Sequence, residues 1–232
     1  MKLRTWDDLP DFMKYKEVRE YYDVLAGKKG SLVLKRVFDV VVAAIMLIVL
    51  AIPMFIIAVA IRIDSSGPVF YRQERVTSYG KVFRIHKFRT MVDNADKKGS
   101  AVTVDGDARI TRVGSKLRNL RIDEIPQLFD VIKGDMSFVG TRPEATKYVR
   151  QYSKEMNATL LLPAGITSEA SIRYKDEAIL LNAASDVDEV YVKEVLPNKM
   201  NYNLQSIKKF SFAGDLATMI RTVFAVLGKE YD

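Results

Sequence analysis

Residues 40–61 read VVVAAIMLIVLAIPMFIIAVAI. A straight helix of this apolar run, about 22 residues, would measure roughly 33 Å, enough to cross the hydrocarbon core of a bilayer. A buried helix of a soluble protein is rarely so long and so uniformly apolar, so the stretch predicts a membrane-resident helix. Pro53 divides the run into parts of about 13 and 9 residues, each too short to span alone, and withholds one helical hydrogen bond. Lys35 and Arg36 precede the run and Arg62 follows it. Basic residues at both ends set no clear polarity and are best satisfied when both flanks are cytosolic. A bent helix that enters and leaves one leaflet fits these residues, and so does a kinked spanning helix. Asp39, three residues after Arg36, reads as half of a salt-bridged interfacial anchor.

Upstream, Met1 to Gly30 is polar and mixed in charge, with Phe12, Tyr15, Val18 and Tyr22 at helical spacing. This predicts an amphipathic helix on a surface, either the membrane interface or the protein itself, ended by Gly27 and Gly30. Its charges leave no apolar core for a cleavable signal peptide. Downstream, Ser65-Ser66-Gly67-Pro68 is a turn signal. Val69–Val76 and Lys81–Met91, rich in Val, Phe, Tyr and Arg around Ser78-Tyr79-Gly80, predict a β-hairpin. Its second arm places Lys87 and Arg89 at alternating positions, as a solvated edge or as phosphate ligands.

Arg121–Glu144, RIDEIPQLFDVIKGDMSFVGTRPE, places adjacent carboxylates, Asp123 and Glu124, before a short apolar-faced segment. Ile125, Leu128, Phe129 and Ile132 make one helical face, and Lys133-Gly134 is an ordinary helix ending. Pro126 is tolerated only in a first turn, so the helix is expected to begin near Asp123. The acidic pair would then meet the positive end of the helix dipole, among Arg118, Arg121 and Arg142. Carboxylates kept ionised among cations suit a metal site or a nucleophile that must meet phosphate. An N-cap and a first-turn acid would look the same in this window alone. Beyond it, helices are expected over Ala145–Leu162, Asp186–Leu196 and Phe212–Leu227, a turn at Pro163–Thr167, and a polar loop over Asp93–Asp107.

The chain has 232 residues, 48% of them hydrophobic, and a formal net charge of +7. That charge predicts anionic partners: nucleic acid, lipid headgroups or phosphorylated substrates. With no cysteine, disulfides and thiolate metal sites are excluded; with His86 alone, so is a histidine-based metal cluster within one chain.

Four pieces then occur in a telling order: KRVFD before the Pro-broken apolar run, GPVFYRQERVTSYGKVFRIHKFRTM, DARITRVGSKLRNLRIDEIPQLFDVIKGDMSFVGTRP, and PAGIT. From about Leu34 onward the chain resembles the small monotopic bacterial phosphoglycosyl transferases. The resemblance implies transfer of sugar-1-phosphate from a UDP-sugar to polyprenyl (undecaprenyl) phosphate with release of UMP. This would be the first membrane step of capsule, O-antigen, exopolysaccharide or glycoprotein glycan assembly. It implies a requirement for Mg²⁺, with Asp123 as the nucleophile that forms a phosphosugar ester and Glu124 as the Mg²⁺ ligand. Lys87, Arg118 and Arg142 fall at matching basic positions, and Arg89 lies beside Lys87 on the same strand. The implied fold is α+β: a mostly helical monotopic membrane protein with a Pro-kinked re-entrant helix, a small antiparallel hairpin and interfacial amphipathic helices. Residues 1–30 would be an N-terminal amphipathic helical extension, 31–64 the re-entrant helix and 65–232 a cytosolic catalytic domain. The implied location is the cytoplasmic face of the bacterial inner membrane. Bacterial membrane lipids would be partners and nucleic acid would not; a homodimer, or contact with downstream glycosyltransferases, stays open.

The chain departs from the family pattern at Ile52, where Ser commonly precedes the kink proline, and at Thr141 in Gly140-Thr141-Arg142-Pro143. It departs again after PAGIT, where it reads SEASIRYKDE, leaving open the sugar and any role of Arg173 or Lys175. A non-enzymatic basic module tethered to anionic lipid or nucleic acid would explain the charge and the anchor but not the carboxylate pair.

Overall fold

The computed structural model describes residues 1–95, 107–174, 180–181 and 186–226. Most of the expected Asp93–Asp107 loop, together with Lys175 and Leu227, lies outside them. The apolar run belongs to helix α2 (Lys29–Asp64), which begins well before Val40 and continues through Pro53. Among the described residues it is the one helix long and apolar enough to cross a membrane.

One side of α2 packs on the rest of the chain from end to end. Leu32, Lys35, Asp39, Ala43, Met54 and Ile61 are buried, with Leu47, Leu50 and Ile57 between them. Steps of three and four residues keep this seam on one helical face. The other side, including Val41, Ile48, Val49, Ile52 and Phe55, is exposed and apolar. Both ends of the helix are pinned. Lys35 Nζ donates to Val139 O at 2.8 Å and pairs with Asp215 at 2.6 Å. Arg36 donates to the carbonyls of Val131 (2.6 Å) and Ile132 (2.8 Å) at the end of α4 (Gln127–Lys133). At the far end, Asp64 accepts from the backbone N–H of Val113 at 2.9 Å. The expected Arg36–Asp39 anchor does not form: Asp39 is 2% exposed and accepts from the N–H of Phe138 at 3.3 Å. Phe138 belongs to a two-stranded sheet, whose open edge leaves an N–H that needs an acceptor.

The hairpin is present as expected. Strands β1 (Phe70–Val76) and β2 (Val82–Phe88) pair antiparallel from Phe70↔Phe88 to Val76↔Val82. Their turn, Ser78–Gly80, uses positive φ at Tyr79 (58°) and Gly80 (74°). Against expectation, PAGIT is not a turn. Its Ala164–Thr167 is strand β4, parallel to β3 (Met136–Val139). Four residues paired to a distant segment leave no local periodicity to read.

The N-terminal segment also differs from expectation. Helix α1 (Lys16–Ala26) ends at Gly27, while Gly30 lies inside α2. Its inward face is Val18, Tyr21 and Leu25, and Phe12 stays 41% exposed. Together with Leu9 and Met13 these residues share one core with Leu160, Leu161, Leu204, Ile207 and Phe210. The Tyr21 hydroxyl donates to Glu155 at 2.5 Å. Of the two surfaces open to this helix, the protein is the one it occupies.

The expected helix at 145–162 is broken into α5 (Thr146–Val149) and a 3₁₀ segment, Met156–Leu161. A short α6 (Glu169–Arg173) follows β4. The helix expected at 186–196 runs further: α7 (Val187–Val190) passes through a π turn, Tyr191–Val195, into α8 (Leu196–Lys208). The last helix, α9 (Phe212–Val226), falls where periodicity placed it.

Gly114, in helix α3 (Arg112–Asn119), lets that helix lie directly on the end of the hairpin; a Cβ there would stand 2.0 Å from the carbonyl oxygen of Thr90. Neither partner is a flexible side chain, so the helix itself would have to move. Gly114→Ala is expected to lower stability by about 1–3 kcal/mol, an overpacking cost, and to lower turnover with it. Thermal unfolding of the detergent-solubilised chain checks this, and an unchanged melting temperature would refute it.

Candidate active site

Three pieces of backbone converge on the acidic pair. Strand β2 carries Lys87, which pairs in register with Tyr71. Helix α3 is capped at its start by the Thr111 hydroxyl, which accepts from Gly114 N at 3.0 Å, and presents Arg118 in its last turn. The chain then reverses at Arg121, which takes a left-handed conformation (φ 54°) rare for a side chain of its size. The acidic pair follows in a single 3₁₀ turn, Ile122–Glu124, and α4 begins only at Gln127. The expected α-helix from Asp123 is therefore a tighter turn leading into a helix. At three residues per turn, adjacent side chains point about 120° apart, which gives the two carboxylates separate surroundings.

Glu124 is clamped. Lys87 Nζ is 2.7 Å from its Oε1, and Arg142 reaches the same oxygen through Nη2 and Oε2 through Nη1 at 3.4 Å. Arg142 is delivered just beyond β3, where Gly140 N–H donates to Thr167 O at 3.0 Å and Gly165 N–H to Thr141 O at 2.8 Å. Burial alone would push the Glu124 carboxyl up; Arg142 and Lys87 outweigh it and hold the group far below the usual carboxylate range.

Asp123 is different. Among the described residues, no basic side chain lies within ion-pair distance of its carboxylate. Burial pushes its carboxyl above the ordinary value, and Glu124 adds to this; Lys87 and Arg118 pull the other way without touching it. Arg118 itself has no hydrogen-bonded or ion-paired partner among the described residues, so its guanidinium is available. Five of the six expected site residues, Lys87, Arg118, Asp123, Glu124 and Arg142, thus come together.

Arg89 does not join them. It is 4% exposed and donates to Ser65 O at 2.7 Å, to Ser65 Oγ at 3.0 Å and to Ser66 O. Strand β2 ends at Phe88, so the alternation that put Arg89 beside Lys87 stops one residue short. Its guanidinium instead ties the exit of α2 to the hairpin.

One pairing was not foreseen. Asp130, 1% exposed on α4, accepts from the backbone N–H of His86 at 2.8 Å and lies 2.6 Å from its Nδ1. This locks the strand that carries Lys87 to the helix that follows Asp123 and Glu124. The signal was a single histidine next to Lys87, and nothing local pointed to its partner.

Among the described residues no cluster of three or more His, Cys, Asp or Glu could hold a metal by itself. The donor set nevertheless suits Mg²⁺. Glu124 Oε1 is taken by two cations, but Oε2 has only the longer contact to Arg142. A hard cation that takes one carboxylate and completes its shell with phosphate and water oxygens fits that oxygen.

The family described as bacterial sugar transferase matches residues 30–229. The chain is 35% identical over 197 residues to the UDP-N-acetylgalactosamine-undecaprenyl-phosphate N-acetylgalactosaminephosphotransferase of Aeromonas hydrophila, covering 84% of this chain and 44% of that one. It is 36% identical over 196 residues to the UDP-glucose:undecaprenyl-phosphate glucose-1-phosphate transferase of Caulobacter vibrioides, covering 83% and 69%. It is also 35% identical over 199 residues to the uncharacterized sugar transferase EpsL of Bacillus subtilis, covering 86% and 90%. With the family match spanning most of the sequence and these relatives covering more than four fifths of it, the chain belongs to the bacterial sugar transferases of the phosphoglycosyl transferase type.

Proposed function

We propose that the chain transfers sugar-1-phosphate from a UDP-sugar to undecaprenyl phosphate through a covalent intermediate on Asp123. The observation that carries this is the contrast within the acidic pair: Glu124 is clamped by two cations while Asp123 is uncommitted beside them. In the first step an Asp123 oxygen attacks the phosphorus that bears the sugar. The bond from that phosphorus to the UMP oxygen breaks, UMP leaves, and the phosphosugar is held as a mixed anhydride. In the second step an oxygen of the acceptor phosphate attacks the same phosphorus and Asp123 departs as a carboxylate.

A carboxylate, a diphosphate and a lipid phosphate repel one another, so the reaction depends on fixed positive charge. Lys87 and Arg142 keep Glu124 ionised and oriented, and Arg118 offers a planar fork to phosphate oxygens. Mg²⁺, held by Glu124 with donor phosphate oxygens, would neutralise charge developing on the leaving group.

The same proposal places α2 within the cytoplasmic leaflet of the bacterial inner membrane, bent at Pro53, with both ends on the cytosolic side. Support comes from its packed seam. Ala43 near the start of the apolar run and Ile61 at its close lie against the same domain, through Phe83 and Leu128 at one and Phe88 and Leu117 at the other. A spanning helix would carry one end away from that domain. The exposed apolar face then meets lipid, and an acceptor with an isoprenoid tail presents its phosphate beside the site.

Three outcomes are expected. With a UDP-sugar labelled in the phosphate next to the sugar, and Mg²⁺, label is retained on the wild-type protein and absent from Asp123→Asn; a labelled Asp123→Asn would remove the nucleophile from its role. Asp123 must be ionised to attack, and burial, which raises its pKa, moves the acidic limb of the kcat/KM profile above the ordinary aspartate value. Arg118 favours the ionised form, so Arg118→Gln should move that limb to higher pH, whereas a lower or unmoved limb would contradict the assignment. The natural chain has no cysteine, so Lys28→Cys and Ser66→Cys can be labelled singly in inverted membrane vesicles. Both should react with an impermeant maleimide from the cytoplasmic face, and protection of either one would mean that α2 spans.

A further inference from the structure

Arg75 lies on the hairpin face that also carries Lys87. In the register Tyr71 stands opposite Lys87 and Arg75 opposite Phe83, and residues two and four apart along a strand share a face. Its guanidinium is half-buried and is oriented by two neutral acceptors: Gln73 Oε1 at 2.5 Å and the carbonyl of Pro143 at 3.4 Å. Pro143 is the residue after Arg142, so Arg75 is tied to the backbone that carries Arg142, and the positive charge of Arg142 is felt at Arg75.

Among the described residues no carboxylate lies within ion-pair distance of Arg75. The acidic group closest in its field, Glu144, is held instead by the Tyr191 hydroxyl at 2.7 Å and by Lys199 at 3.7 Å. Two guanidinium groups that repel each other, one of them without an ion-pair partner among the described residues, are unfavourable unless an anion neutralises them. Arginine has five N–H donors, and the two bonds described leave others over. Arg75 Nε carries no hydrogen bond among the described residues and is not among the buried atoms that lack a partner, so this donor opens onto water-accessible space.

We propose that Arg75 and Arg142 together form an anion site that binds a substrate phosphate adjacent to the one attacked by Asp123. The proposal rests on the reading of the chain as an enzyme that joins a diphosphate donor to a phosphate acceptor. The shared chemistry is a phosphate dianion or diester, gripped by two forks. Its source is either the uridine-side phosphate of the donor or the phosphate of the lipid acceptor.

The test uses the full-length protein in nanodiscs, with Arg75→Ala and with Arg72→Ala as control; Arg72 pairs with His86 on the opposite face and donates to Arg84 O at 2.8 Å. Binding of UDP and of inorganic pyrophosphate is measured by calorimetry at several salt concentrations, alongside KM for donor and for undecaprenyl phosphate. Losing a charge-assisted contact should cost about tenfold to hundredfold in affinity. If the site takes the donor, Arg75→Ala weakens UDP and pyrophosphate binding, flattens its salt dependence and raises donor KM, leaving acceptor KM in place. If it takes the acceptor, acceptor KM alone rises by that factor. Values for all ligands within about twofold of wild type, at an unchanged melting temperature, would overturn the site. Should Arg75→Ala fail to fold, Arg75→Gln replaces it, because it keeps a donor for Pro143 without the charge; a merely structural arginine would then lower the melting temperature and leave the salt dependence alone. Binding is read without turnover, so a chain that holds pyrophosphate through Arg75 yet releases no UMP refutes the reaction and keeps the site.

Discussion

The clamp on Glu124 is the constraint around which the molecule is arranged. One carboxylate is shared by a lysine from a hairpin and an arginine from the end of a parallel strand, while the turn that carries it also carries Asp123. Charge of both signs at this density is stable only when every member is fixed in place, since a buried ion without its partner costs several kcal/mol. Each supporting element therefore has its own fastening. The hairpin is tied to α4 through His86 and Asp130, α3 approaches the hairpin at Gly114, and the segment before Arg142 is laced to β4. Rigid attachment of this kind separates the two acidic residues into one that is ion-paired and one that, among the described residues, is not.

The long helix supplies the second frame. One seam of it is buried or half-buried against the domain, while the side facing away is exposed and apolar. The polar fastenings lie at its ends, where Lys35, Arg36, Asp39 and Asp64 find partners in the domain. Apolar contact fixes how far the helix stands from the active turn, and these polar contacts fix its position along its own axis.

Much of this was legible in the sequence because its signals are local. The apolar run, the hairpin around Ser78-Tyr79-Gly80, the last helix and the acidic pair were all read from residue spacing. What was missed depends on contacts between distant segments. Strand β4 looked like a turn because its partner is β3 and a four-residue strand has no period of its own. Asp39 looked like a partner for Arg36 because they are neighbours on a helix, whereas the open edge of β3 claims it. Arg89 looked like a companion to Lys87 because alternation was carried one residue past the end of the strand. Of the stripe read in the N-terminal segment, Val18 is buried and Tyr15 and Tyr22 pack against the same core, while the more deeply buried Tyr21 and Leu25 were passed over.

The family match starts at residue 30, but the hydrophobic interior does not respect that boundary. Val18, Tyr21 and Leu25 close over Leu160, Leu161, Leu204 and Ile207, so the unit that folds is larger than the unit shared with relatives. During synthesis this helix leaves the ribosome long before the segments it packs against. Its apolar stripe stays uncovered until the C-terminal half, which supplies Leu160, Leu161, Leu204 and Ile207, has followed.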